Sequence, residues 1–157
     1  AFHNAAYDIL DYIMSQRCVA QIREARGGTY HVRFYSESQL AKDTRESYIA
    51  FQTRPEMAEI LIKDAQDLID DLCENGPTAE DMENAVKYLI KAQDERMQRF
   101  ENSLNRRMSE RRNFILYGVP FDYDYSEVLR SISGKDIQKL AKKVNNGNRL
   151  IAVYREQ

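Results

Sequence analysis

Several things are scarce in this 157-residue chain, and each scarcity removes a class of function. No apolar run approaches the roughly 20 residues that a helical membrane span requires. A charged-then-apolar leader is also missing, so no secretory signal is expected within these residues. Charge of one sign is not in excess: 23 Lys and Arg stand against 25 Asp and Glu, a net charge of -2. That balance gives no global attraction to nucleic acid or anionic lipid. Only two cysteines occur, Cys18 and Cys73. They lie far apart in apolar helical patterns with no C-x-x-C spacing, and are read as two buried free thiols.

Histidine is equally rare. His3 and His31 are the two, and neither belongs to H-x-x-E-H, H-E-x-x-H or a Cys/His cluster. No metal site is expected here. A Cys18–His31 nucleophile pair lacks any mark of an activating partner. Glycine-rich phosphate loops are absent as well. Carboxylates abound, at Asp64 with Asp67, Asp70-Asp71 and Glu80-Asp81, and are read as solvated helix faces. Six arginines between Arg96 and Arg112 alternate with Glu95, Glu101 and Glu110 rather than with aromatics. A salt-bridged surface is expected there, not a single-strand nucleic-acid groove.

What is present is enough for one domain over residues 1–157, with 43% apolar residues to build a core. Phe2, Ala6, Ile9, Leu10 and Ile13 make one stripe of a helix over residues 2–16, and Val19 and Ile22 extend it. Gly27-Gly28 then breaks the period. An alternating run follows from Thr29 to Tyr35, with Tyr30, Val32 and Phe34 on one face. A polar connection over 36–44 and a second run over 46–53 suggest an antiparallel hairpin with a long loop.

Thr53-Arg54-Pro55-Glu56 has the spacing of a capping box with an early proline, and opens a helix that Gly76-Pro77 closes. Thr78 with Asp81 starts a long charged helix, with a kink expected near Asn102-Ser103. A helix over 104–117 ends at Gly118-Val119-Pro120, a short one follows near 126–131, and Ser133 caps another. Residues 149–154 read as a last strand. The class is α+β, a mostly antiparallel sheet with helices packed on one face. Three strands are few for so many helices, so further strands are expected upstream. The start at Ala1-Phe2, already inside a helical pattern, is likewise expected of a C-terminal piece of a longer protein.

The junction over residues 22–34 carries the functional signal. Arg23 and Tyr30 stand seven residues apart on either side of the glycine turn, placed to converge on a ligand. Arg23-Glu24, then Gly27-Gly28-Thr29-Tyr30 and a strand, a Thr-x-Pro-Glu helix start, and Gly76-Pro77-Thr78 before a long helix follow in order. This pattern resembles the inverted-zincin peptidases of the insulinase, pitrilysin and processing-peptidase family, the M16 peptidases, and looks like the final domain of a two-half member. The matching positions are Arg23, Glu24, Gly28, Tyr30, Gly76 and Thr78.

The resemblance implies a C-terminal substrate-binding domain of a zinc metalloendopeptidase, not catalytic alone. Zinc and H-x-x-E-H would lie in an N-terminal half, over which this half closes. Arg23 and Tyr30 would hold the peptide substrate; the fragment would supply no catalytic residue, metal ligand or cofactor. The alternative from the same family is a non-catalytic scaffold or binding subunit. Bacterial two-half members lean toward the periplasm or cell envelope. One departure is local: Ala25-Arg26 stands where family members often carry another acid after Arg-Glu.

Overall fold

The first helix has no Gly or Pro and opens with the Ala-rich turn around Ala5-Ala6, which favours helix over any competing local structure. In the computed structural model it is α1, Phe2–Cys18. The residues described are 2–39, 44–100, 104–145 and 149–154, without the side chains of residues 99, 100 and 106. Around α1 run β1 (Val32–Gln39), β2 (Thr44–Phe51), α2 (Ala58–Asn75), α3 (Ala79–Phe100), α4 (Leu104–Tyr117), α5 (Tyr125–Ser131) and α6 (Gly134–Asn145).

The α1 helix is buried over a wider arc than a single stripe. Ala5, Ala6, Tyr7, Ile9, Leu10, Ile13, Met14 and Cys18 are all inside, because the hairpin, α2, α3, α5 and α6 each pack on it. Phe2, expected on the buried stripe, is instead 46% exposed. It sits in the first turn, beyond the reach of the packed elements. Polar side chains fasten the surrounding elements to α1. Arg17 donates to Asp71 of α2 at 2.8 Å and to Asp81 of α3 at 2.9 Å. Tyr125 of α5 donates its hydroxyl to Asp8 at 2.8 Å. Burial beside this carboxylate pushes the Tyr125 phenol well above its usual range.

The hairpin is antiparallel, running from Val32 opposite Phe51 to Gln39 opposite Thr44. Strand therefore continues through Ser36 to Gln39, which the sequence places in a long loop. The reason is a change of partner along one face. Val32 and Phe34 are buried against α1, but further out Asp11 accepts from the Ser36 amide at 3.0 Å and hydroxyl at 2.6 Å. Polar residues thus extend the ladder without an apolar face. Burial raises the Asp11 carboxyl despite the two bonds from Ser36. Nearby, the Arg45 guanidinium lies 4.1 Å over the Tyr7 ring.

Residues 149–154 are described without strand structure, which corrects the expected third strand. Leu150 and Tyr154 are 90% and 95% exposed, so the alternating pattern has no sheet edge beside it among the described residues. The kink expected near residues 102–103 lies outside the described residues. The helix starts hold in two cases out of three. Thr78 with Asp81 and Ser133 with Asp136 form reciprocal capping pairs, amide to side chain at 3.0 to 3.3 Å. At the third, a 3-10 turn over Pro55–Met57 precedes α2, and Thr53 turns its hydroxyl elsewhere, as described below.

Both cysteines are free and buried. Burial pushes the Cys18 thiol up to about 12, which leaves it protonated and removes it as a nucleophile at neutral pH.

Candidate functional site

The corner between α1 and β1 begins where α1 passes without interruption into a π-helical segment, Val19–Ala25. A π-turn spends one more residue per turn than an α-turn, and such segments are rare and enriched at functional sites. Ile22 is buried and anchors the segment, while Arg23 faces outward. The Arg23 carbonyl accepts from the Gly27 amide at 3.0 Å and also from the Arg26 amide, which closes the helix.

The two glycines serve different needs. Gly27 holds a φ of 61°, in the left-handed region that L side chains avoid. Gly27→Ala is therefore expected to cost about 1–2 kcal/mol in chemical denaturation, and Gly27→Asn less, because Asn tolerates this region. Gly28 is instead a close approach. A Cβ there would lie 3.0 Å from Leu61 Cδ1 and 3.3 Å from Met57 Cε, so the backbone presses on α2. Thr53 donates its hydroxyl to the Gly28 carbonyl at 2.6 Å, tying the end of the hairpin to the same point. Thr29 is buried and closes a local ring, bonding the His31 carbonyl at 2.9 Å and amide at 3.2 Å.

The strand starts only at Val32, not at Thr29. This shifts Tyr30 out of the alternation. Val32 and Phe34 face the core, but Tyr30 is 99% exposed and does not share their face. Arg23 and Tyr30 thus stand on either side of the turn, both open to solvent. Among the described residues, no hydrogen bond or ring contact joins them.

The corner also contains a pair that periodicity alone passes over. Asp64 is 7% exposed, and Arg26 reaches it with two bonds, Nε to Oδ2 at 2.7 Å and Nη2 to Oδ1 at 3.0 Å. Asp64 is therefore not a solvated carboxylate. Asp70 is held by Asn145 and Arg149, Asp71 and Asp81 by Arg17, and Asp67 by Lys63, and among these acids Asp64 is the buried one. Outside the Arg26–Asp64 pair lies a shallow depression of about 440 Å³, lined also by Glu59, Ile60, Lys63 and Asp67. The signal that could have found Asp64 is its place between Leu61, Ala65 and Leu68 on the apolar stripe of α2: an acid there requires a cation.

Among the described residues, no group of three or more His, Cys, Asp or Glu could hold a metal ion. The donors at the corner are cationic or phenolic, which suits an anionic or carbonyl oxygen rather than a metal.

A family profile described as the peptidase M16 inactive domain matches residues 2–89. No curated protein matches significantly. Among solved structures, the peptidase M16 inactive domain from Pseudomonas fluorescens aligns at 23% identity and a TM-score of 0.72, over 89% of this chain and 34% of that one. The periplasmic protease PqqL from Escherichia coli aligns at 16% identity and a TM-score of 0.67, over 89% of this chain and 15% of that one. The ferredoxin protease FusC, solved as a mutant with Arabidopsis ferredoxin, gives 21% and 0.66, over 90% and 15%. The chain thus spans between about a seventh and a third of these proteins, and the likeness is one of fold.

Proposed function

Because the chain belongs to the peptidase M16 inactive-domain family, we propose that it is the substrate-holding domain of a two-half zinc metalloendopeptidase and cuts nothing alone. The observation that carries the reading is the corner: Arg23 and Tyr30 are both exposed, flanking a turn that is fastened underneath. A guanidinium and a phenol hydroxyl are donors suited to a peptide carbonyl beside a scissile bond, where negative charge develops. Zinc, when bound in the other half, supplies the activated water. This chain binds and orients.

Two surfaces support a covering partner half. The α4 helix carries Leu104, Met108, Phe114, Ile115, Leu116 and Tyr117 exposed, and residues 149–154 offer a strand pattern with no edge beside it among the described residues. A 14-residue helix with this much exposed apolar surface is marginal in water, so cover from further polypeptide would stabilise it. A two-stranded hairpin gains in the same way from added strands. A site in the bacterial cell envelope goes with this reading, since one neighbour is described as a periplasmic protease.

The decisive observation is the polypeptide encoded beside this one. H-x-x-E-H with a glutamate roughly 70–80 residues later, the ligand set of a three-residue zinc site, is expected in the partner half. A partner lacking both would establish the non-catalytic scaffold instead. In the isolated chain, calorimetry is expected to show no stoichiometric, high-affinity zinc binding. A tight one-to-one isotherm would overturn the division of labour.

A further inference from the structure

Arg23 and Tyr30 present a mechanical problem. Both side chains are exposed, Tyr30 almost completely, so nothing around them sets their direction. Positioned donors are effective only when the backbone beneath them is held, since a displacement of about 1 Å can cost on the order of 100-fold in rate. The backbone between them contains a left-handed glycine and no regular structure from 27 to 31, a segment with every local reason to move.

It is held at three points, all on or beside α2. Gly28 rests on Leu61 and Met57, its carbonyl takes the Thr53 hydroxyl, and Arg26 grips Asp64. The third point differs from the first two. The Gly28 contacts lie after the turn and position the strand side that bears Tyr30. Arg26 lies before it, one residue from Gly27 and three from Arg23, and its amide bonds the Arg23 carbonyl. A bidentate guanidinium–carboxylate pair has fixed planar geometry, unlike a single ion contact. Its carboxylate is buried in the apolar stripe of a long helix, so the anchor is rigid on the α2 side. No other side chain hydrogen bond among those of residues 19–27 reaches α2.

We infer that Arg26 and Asp64 form a positioning clamp that sets the placement of Arg23 toward the peptide, acting through the corner backbone and not on substrate. This inference rests on the substrate-holding reading of the corner. It also accounts for the basic residue at 26, two positions after Glu24: an acid at 26 would face Asp64 and repel it.

The test uses the full-length parent protein in a cycle of Arg26→Met, Arg23→Met and the double variant, with Tyr30→Phe measured alongside, reading kcat and KM for a peptide substrate and hydrogen exchange of the amides from 27 to 31. Arg26→Met is expected to speed exchange at these amides and lower kcat/KM between about 10- and 100-fold. In the Arg23→Met background the same substitution is expected to lower it much less, because the clamp acts through the group already lost. Arg26→Lys, which keeps the charge and loses the fork, should fall between. An equal loss in both backgrounds would mean a general structural effect and overturn the clamp, as would unchanged exchange. Should Tyr30→Phe leave turnover normal, the substrate-holding reading fails, while the exchange measurement still decides whether Arg26 fixes the corner. Asp64→Asn, which leaves a neutral partner of the same shape, separates loss of the clamp from misfolding caused by an unpaired buried charge.

Discussion

On the proposed substrate-holding reading, Tyr30→Phe in the full-length protein is expected to lower kcat for peptide hydrolysis roughly 100- to 1000-fold, the usual loss on removing one donor from a developing oxyanion. Folding should be untouched. The side chain is 99% exposed, so the change stays within the roughly 0.5 kcal/mol typical of surface positions. The split between constants reports the role. A fall in kcat with KM unchanged places the hydroxyl on the transition state; a rise in KM alone makes it a ground-state contact. Kinetics within twofold of the unaltered enzyme, on a variant that melts normally, would remove Tyr30 from the site.

The resemblance already assigns Tyr30 to the substrate, and what the structure adds is that the side chain is free of the core. In the sequence it alternates with Val32 and Phe34, and a period of two places all three in the core. Periodicity says nothing about where a strand begins, and here Thr29 delays it by bonding His31 locally, which competes with the ladder. The residues at the corner were legible for another reason. Gly27-Gly28 interrupts a helical pattern with a left-handed position at Gly27, and Arg23 and Tyr30 flank the turn on either side. The capping pairs at Thr78 and Ser133 were legible because they need only three-residue spacing.

Less was readable where the outcome depends on distant partners. Asp64 looks like any other helix acid until α2 is laid beside the corner and Arg26 meets it. The π-segment is invisible to a 3.6-residue period, since a single wide turn only shifts the phase. The hairpin loop was overestimated because Ser36 and Ser47 pair with Asp11 and each other rather than with apolar neighbours. Residues 149–154 show the reverse: strand composition is a statement about a surface that fits a sheet, and no edge stands beside them among the described residues. The expected further strands would supply one.

The second large effect concerns α1, the helix that every other packed element touches. Leu10→Ala is expected to destabilise the domain by about 2–5 kcal/mol, because Leu10 is fully buried and its cavity is walled by elements fastened through Arg17, Asp8 and Asp11. Those ties limit how far the walls can collapse into the space, which favours the upper part of the range. Leu116→Ala is the informative contrast. Leu116 is 60% exposed on α4, so in the isolated chain its loss should fall within about 0.5 kcal/mol. In the full-length protein, cover by a second half would turn the same residue into a buried one and raise its cost toward that of Leu10. Denaturant unfolding of both variants in both contexts measures the difference. Equal, small costs for Leu116→Ala in the two would mean that nothing packs on α4, and the case for a covering half would then rest on residues 149–154 alone.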